Sequence, residues 1–387
     1  MGLFNFNKTE ATPVVVNKNK EKNLASFGNV NDINLSIHTD LPVVKALPNR
    51  EWVTYGVDNK YPEFLKQLFN TSPTHQAIIK TKALMTGGQG YTIQDSHLNE
   101  QDKIKVRQLL GQIDRQLIDI ALDQQIYGAV ALELQYDIWM KNIIKVNRID
   151  PSKLRAGKME ETNEIEEWFY SDQWAEKQQK DIKEIYSFQE ADNENARQLL
   201  YVPMQLVSND YYGEPSYTAG IDWVTLESQT GVYYRALIEN GFSPSLQVTF
   251  YTGNATAEEK STIAQAFKRM YAGAKNAGKV LFTFAKDKES APSIEPIATQ
   301  NVDKQFTVIA DQIVTKILTS GRVTTPEMFG IAIPGKLGNA DFATQVNAFT
   351  KFVIEPDQRK LEQAINRIFN ANGYNIDFKL NAFKLEQ

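Results

Sequence analysis

The chain has 387 residues, of which 42% are hydrophobic and 23% charged, a composition typical of a folded protein of two or three domains. It contains no cysteine and three scattered histidines, which excludes disulfides and cysteine-bound metals and argues against a histidine-built zinc site. The net charge of −5, from 42 basic and 47 acidic residues, lacks the basic excess of proteins that grip nucleic acid. We also expect no membrane span and no signal peptide, because no long uncharged apolar run is present.

The first part of the chain predicts a polar arm followed by a mixed domain. Residues 1–48 are polar and irregular, as in an extended segment. Further on, Ser72 is placed as a helix cap and Pro73 as the first helical residue, and this helix is expected to stop at Gly87. Helices and strands are expected to alternate up to residue 214.

Three further elements complete the prediction for this domain. Residues 102–124 carry an apolar stripe at helical spacing, which predicts one amphipathic helix. Residues 127–136 alternate between apolar and polar side chains and predict a strand. Two aromatic, branched runs within 165–188 predict a β-hairpin.

The second half has longer elements. Residues 216–242 contain no proline and predict one long helix. A small α/β insert follows, with a strand at LQVTF and a helix that Thr256 and Glu259 open as a capping box. Residues 302–319 predict a second amphipathic helix, with Val302, Phe306, Ile309, Ile313 and Ile317 on its stripe. The last long helix begins at Phe342, meets Pro356, and is expected to kink there because proline lacks the backbone donor.

Between these helices, residues 330–337 read GIAIPGKL, one residue short of the nucleotide-binding signature G-x-x-x-x-G-K-[ST]. Leu337 stands where a serine or threonine would bind Mg²⁺, and the preceding residues do not form a buried-strand pattern. A mobile glycine loop is therefore favoured over a phosphate site. Nothing else in the chain resembles a catalytic constellation, so we predict no enzyme activity, no cofactor and no metal.

The order of these segments resembles the portal proteins of tailed bacteriophages, particularly the compact portals of phages with HK97-like capsids. The resemblance is strongest over 199–370. It is carried by YGEPSYTAGIDWV, YYRALIENGFSPSLQVTF, the clip-like NATAEEKSTIAQAFKRMYAG, the helix DKQFTVIADQIVTKILTSGRVTTPEMFGI and the stretch GNADFATQVNAFTKFVIEPDQRKLEQAINRIF. Upstream, NKYPEFLKQLFNTSPTHQAIIKTKALMTGGQGY resembles the start of the family's wing domain.

The resemblance implies an α+β fold in which a two-helix stem carries a small α/β clip. It assigns an N-terminal arm to 1–48, a wing to 49–214, stem helix 1 to 215–242, the clip to 243–301, stem helix 2 to 302–325, and the tunnel loop with the kinked wing helix to 326–387. The chain ends soon after Phe378, so the helical crown of larger portals is expected to be minimal or absent.

The resemblance also implies a ring of twelve subunits in the virion, at one capsid vertex, assembled in the host cytoplasm. Its expected partners are the major capsid protein, the terminase, a head–tail adaptor and double-stranded DNA, which passes through without sequence-specific binding. By position, the channel loop comprises Ile333, Pro334, Gly335, Lys336, Leu337, Gly338 and Asn339. Since an acidic wall would keep DNA sliding, Asp222, Glu227 and Asp311 are predicted to face the lumen.

Two other interpretations are open at this point. The chain could be a different virion assembly or connector protein that shares the plan of a stem with an insert. It could also, with less support, be a nucleotide hydrolase that uses the incomplete signature around Lys336.

Overall fold

The computed structural model describes residues 42–159, 163–174, 181–190, 195–239, 246–251, 256–259, 261–262, 265, 280–285, 302–331 and 342–385. Within this part of the chain helices and strands are interleaved, so the fold is α+β as the sequence predicts. No helix among the described residues is both long enough and apolar enough to cross a lipid bilayer.

The described chain begins with a short hairpin and two consecutive helices. Strands β1 (Val44–Ala46) and β2 (Val53–Tyr55) pair antiparallel, and helices α1 (Tyr61–Thr71) and α2 (Pro73–Gly87) follow. Ser72 separates the two helices: its side chain accepts a hydrogen bond from the His75 backbone N–H at 3.4 Å. The start and end predicted for α2 are therefore confirmed.

The single helix predicted over 102–124 is wrong. After β3 (Tyr91–Gln94) the chain forms two helices, α3 (Glu100–Asp114) and α4 (Leu117–Tyr127). At the break, the Gln116 amide donates to the Val146 carbonyl at 3.1 Å and accepts from the Arg148 N–H at 2.7 Å. No proline or glycine lies at this position. The break between α3 and α4 is therefore attributed to the hydrogen bonds between Gln116 and strand β5.

Six strands form the central sheet: β4 (Ala129–Tyr136), β5 (Ile143–Arg148), β6 (Leu154–Ala156), β7 (Glu167–Tyr170), β8 (Lys183–Ser187) and β9 (Arg197–Pro203). Their spatial order is β5-β4-β9-β8-β7-β6, and all neighbours are antiparallel except β8 and β9. The predicted hairpin is confirmed as β7 and β8, in which Glu167 lies opposite Tyr186. The predicted strand at 127–136 is confirmed as β4.

The second half forms a helix pair around a small parallel ribbon. A 3₁₀ turn (Thr218–Gly220) leads into α5 (Ile221–Glu239), so the helix begins five residues later than predicted. Strand β10 (Leu246–Tyr251) pairs in parallel with β11 (Val280–Ala285), and α6 (Val302–Ser320) returns. A Cβ on Gly220 would overlap the Ser320 side chain, so this glycine permits the close approach of the two helices.

The chain ends with a broken helix and a short strand. Helix α7 (Phe342–Phe349) passes through a π-helical turn (Thr350–Ile354) into α8 (Glu355–Ala371). Strand β12 (Asp377–Leu380) then pairs antiparallel with β3. The π turn lies near the predicted kink and ends two residues before Pro356.

One apolar core joins these elements. It fills the space between the sheet, helices α3, α4 and α8, and strand β12. Its fully buried members include Val106, Ile120, Leu134, Ile368 and Phe378. The central sheet and the last long helix, α8, therefore belong to one packed body.

Candidate functional site in the helix pair and its anchor

Helices α5 and α6 are called the helix pair below, and among their described side chains the buried ones lie at one end. The beginning of α5 lies beside the end of α6, where Val224, Ile313 and Ile317 are at most 3% exposed. Away from that end, apolar side chains lie at the surface: Leu226, Val232 and Tyr234 on α5, and Val308 and Ile309 on α6. Of the predicted stripe on α6, the last two residues are thus buried, whereas Ile309 is 47% exposed. The side chains of Val302 and Phe306 are outside the described residues.

Glu227 anchors α5 to the N-terminus of α2. Its carboxylate accepts hydrogen bonds from the Thr74 hydroxyl at 2.5 Å, from the Thr74 N–H at 3.2 Å, and from the Ser72 hydroxyl. Because the N-terminus of a helix presents unpaired N–H groups and a partial positive charge, a carboxylate is stabilised there. Both oxygens of Glu227 are thus used within the chain, which argues against the free lumen charge that the sequence predicted.

The other two lumen candidates are exposed. Asp222, in the first turn of α5, and Asp311, in the middle of α6, both have exposed side chains. They remain candidates for charges on a channel wall. The predicted loop residues, Ile333 to Asn339, lie outside the described residues.

Two basic side chains are buried where the helix pair joins the rest of the fold. Lys82 on α2 is 2% exposed, and its ammonium donates to the Ser216 hydroxyl at 3.3 Å. Burial lowers the pKa of Lys82, Asp357 opposes this, and Arg322 adds to the lowering. His75 lies edge-on to Tyr217, with ring centroids 4.3 Å apart, and its Nε2 has no hydrogen-bond partner. Burial, and then Lys82, lower the pKa of His75 to about 3.

Hydrogen bonds from glutamine side chains connect α8, called the closing helix below, to the same junction. Gln124 and Gln125 on α4 donate to the Asp357 carbonyl and carboxylate, each at 2.9 Å. Gln358, which is 2% exposed, donates to the Thr86 carbonyl at 3.0 Å and to the Asn381 carbonyl at 3.1 Å. Since a buried polar group is costly unless it is paired, these contacts fix where α8 begins.

Both ends of the glycine loop are attached to each other. Before the loop, the Thr325 hydroxyl donates to the Gln345 side chain on the far side. The rings of Phe329 and Phe349 meet edge to face, 5.5 Å apart. The loop therefore leaves and returns at one place, which fixes its base.

Arg322 supplies a further link across this base. Pro356 has no N–H, so the Phe352 carbonyl, four residues earlier, lacks its ordinary helical donor. The Arg322 guanidinium, just past the end of α6, reaches that carbonyl at 3.4 Å. The exit of the helix pair and the π turn are thereby in direct contact.

The incomplete nucleotide signature has the wrong structural setting. A phosphate loop follows a strand and precedes a helix. Here a 3₁₀ turn (Pro326–Phe329) comes before Gly330, which ends it with φ of 71°. Among the described residues, the part before Lys336 therefore does not have the form of a nucleotide-binding loop.

Sequence reasoning missed Arg322 and the structural use of Glu227. Glu227 is separated from Thr74 by 153 residues, and no local pattern connects them. Arg322 could have been found by asking which donor replaces the N–H that Pro356 lacks.

Comparison with known proteins gives one family and several related structures. The family model described as phage portal protein matches residues 119–386. No curated protein sequence matches the chain. The fold is similar to a chain in the virion of a native gene transfer agent particle, with a TM-score of 0.51 and 13% identity, covering 83% of each chain.

Two neck structures of gene transfer agent particles are also similar. The neck of the empty particle, computed with C6 symmetry, gives a TM-score of 0.53 at 14% identity, covering 82% of this chain and 84% of that one. The neck of the native particle, computed with C12 symmetry, gives 0.52 at 15% identity, covering 83% and 84%. At these identities, the structures establish a shared fold.

Proposed function

Because the chain belongs to the phage portal protein family, we propose that it forms a ring at one capsid vertex through which double-stranded DNA is packaged and ejected. The observation that carries this proposal is the family match over residues 119–386, which includes the helix pair, the insert and the closing helix in one sequence. The shared fold over more than four-fifths of the chain supports it.

A ring of twelve subunits accounts for the exposed apolar side chains of the helix pair. Leu226, Val232, Val308 and Ile309 are all more than 40% exposed in a single chain. Identical copies arranged around an axis would bring one helix pair beside the next and remove these side chains from water. The similar neck was computed with twelvefold symmetry, which favours this number of subunits.

In this ring, the helix pair would form the channel wall and the loop at 332–341 would project inward. Asp222 and Asp311 would present negative charge to passing DNA. A wall that bound phosphates would hold the DNA, because each phosphate–cation contact adds affinity, whereas an acidic wall lets it slide. Lys336 would make a weak, passing phosphate contact from the loop.

We propose the following partners on the same basis. The clip, residues 243–301, would meet the terminase during packaging and the head–tail adaptor later. The wing, residues 49–214, would face the major capsid protein. The protein would act in the virion after assembly in the host cytoplasm, with no catalysis of its own.

Native mass spectrometry and negative-stain imaging of the full-length protein test the central proposal. We expect closed rings of about twelve subunits in a cyclic assembly. A protein that stays monomeric at high concentration would refute the portal function. ATP hydrolysis by the purified protein that is lost in Lys336→Ala would instead support the nucleotide hydrolase.

The channel roles are tested by reversing charge. Asp222→Lys and Asp311→Lys together should slow DNA packaging at low salt, and added salt should restore the rate because it screens the new contacts. The neutral pair Asp222→Asn and Asp311→Asn is the matched control and should package normally. Packaging by the lysine variant at the wild-type rate in low salt would place these residues away from the DNA.

A further inference from the structure

The turn between β4 and β5 holds two large apolar side chains in water. Ile138 is 85% exposed and Trp139 is 71% exposed, and we call these two residues the hairpin knob. Isolated exposed hydrophobic residues are common in folded proteins. Two adjacent ones at the tip of an ordered hairpin, one of them a tryptophan, are typical of an interface anchor.

Asp137 makes the turn rigid. Its carboxylate accepts hydrogen bonds from the Trp139 N–H at 3.1 Å, from the Lys141 N–H at 2.9 Å, and from the Asn142 amide at 3.0 Å. The Asp137 N–H also donates to the Asn142 carbonyl at 2.9 Å. These bonds fix the backbone of the turn, so little backbone entropy is lost when the hairpin knob binds.

A cavity of about 310 Å³ is lined by residues of β7, β8 and β9. Trp168 and Tyr201 form its aromatic wall, with ring centroids 4.1 Å apart, and Leu206 lies at its mouth with 47% of its surface exposed. We call it the aromatic pocket. Its volume equals that of about ten water molecules, and a tryptophan side chain has about as many heavy atoms.

The charges around these two features are opposite. Exposed Lys141 and Lys145 flank the hairpin knob, whereas exposed Glu164 and Asp210 line the aromatic pocket. The pocket is also lined by Arg367, whose charge is already paired with Glu190 at 2.7 Å, so the two carboxylates set its charge. An apolar contact surrounded by opposite charges fixes both the partner and the orientation.

The knob does not reach the pocket of its own chain. In the sheet, Tyr201 of the pocket lies opposite Ala131 on β4. The knob follows Tyr136, five residues further along that strand, which is about 17 Å at 3.4 Å per residue. The chain thus carries two different, complementary surfaces at separate places, as a head-to-tail contact in a closed ring requires.

We propose that the hairpin knob of one subunit inserts into the aromatic pocket of the next subunit around the ring. This inference rests on the ring proposed above. It adds a contact in the wing, far along the chain from the helix pair, and names Trp139 as its anchor. The acidic lining of the pocket then pairs with Lys141 and Lys145 of the neighbouring subunit.

Cysteine cross-linking tests the contact directly, because the chain has no cysteine of its own. The variant with Lys141→Cys and Asp210→Cys, assembled and then oxidised, should give a ladder of covalent oligomers on a denaturing gel. Lys141→Cys and Asp210→Cys on separate chains, mixed before assembly, should give dimers only. Val57→Cys with Asp210→Cys is the matched control, since Val57 is also exposed but lies outside the contact.

Removing the anchor gives a second measurement. Trp139→Ser should raise the protein concentration needed for half-assembly by about tenfold or more, as expected for a buried tryptophan anchor. It should also abolish the cross-link ladder. Val57→Ser should change neither. The exposed position of Trp139 means that the variant chain should fold, which circular dichroism checks.

The outcomes separate this inference from the proposed function. If the unmodified protein forms no rings, the portal proposal itself fails. If rings form, but the Lys141→Cys and Asp210→Cys variant gives no ladder and Trp139→Ser assembles normally, the ring stands and the knob contact is refuted. Rings of Trp139→Ser that form normally but are not incorporated into capsids would also refute it, and would assign the knob to the capsid protein.

Discussion

Replacing Glu227 with alanine removes the carboxylate that joins the helix pair to α2. Three donors lose a charged acceptor: the Ser72 hydroxyl, the Thr74 hydroxyl and the Thr74 N–H. A hydrogen bond to a charged group contributes about 1.5–3 kcal/mol, and the interaction with the helix N-terminus adds about 0.3–1 kcal/mol.

The full sum does not apply, because Glu227 is only half-buried and water can reach part of the vacated site. We therefore expect Glu227→Ala to lower the free energy of unfolding by about 2–3 kcal/mol. Glu227→Gln keeps one acceptor oxygen but loses the charge, so a loss of about 1 kcal/mol is expected.

Urea denaturation of the monomeric chain at pH 7 measures this difference, since assembly would make the apparent stability depend on concentration. Gln229→Ala, at an exposed position on the same helix, is the control and should change the free energy by less than about 0.5 kcal/mol. A cycle with Thr74→Val tests the pairing, because residues in contact are not additive. If Glu227→Ala behaves like Gln229→Ala, or the cycle is additive, our account of the anchor is wrong.

Three other predictions concern buried or capping groups. The pKa of His75 is lowered to about 3, so the folded chain resists a proton that the unfolded chain accepts, and stability should fall as pH drops from about 6.5 towards 3. His75→Leu should remove about 2 kcal/mol of the loss between pH 7 and pH 5 in denaturation curves. Arg155 is fully buried and donates to Asn59 and to two further carbonyls, so Arg155→Met should cost about 3–5 kcal/mol, visible as a lower Tm. Thr256→Ala should weaken the capping box with Glu259 and speed hydrogen exchange at the Glu259 amide about fivefold, whereas unchanged exchange would contradict it.

Local signals in the sequence predicted the local structure well. The cap at Ser72 depends on neighbouring residues and is present, and the two strands of the β7–β8 hairpin follow from their own aromatic and branched runs. The capping box is also present: the Thr256 N–H donates to the Glu259 carboxylate at 2.9 Å and the Glu259 N–H donates back at 3.3 Å. The cap and the capping box are each decided within about four residues, which sequence patterns can represent.

Contacts between distant segments could not be predicted in the same way. The break between α3 and α4 depends on Gln116 bonding to β5, about 30 residues away. The prediction that Glu227 is a lumen charge considered α5 without its neighbours. In the structure the N-terminus of α2 contacts the face of α5 that carries Glu227. Ile309 shares the helical period of Ile313 but is exposed, because it lies outside the end of the helix pair where the described side chains are buried.

Because the residues on both sides of the loop at 332–341 contact each other, the sequence and length of that loop can be changed. The contact of Thr325 with Gln345 and the Phe329–Phe349 ring pair already join its ends. No interaction within residues 332–341 is therefore needed to hold the ends together. The entropy of closure grows slowly with length, and doubling a flexible loop costs only about 0.6 kcal/mol. In the proposed ring, an engineer could therefore shorten, lengthen or recharge this segment to change the bore of the channel without redesigning the described residues around it.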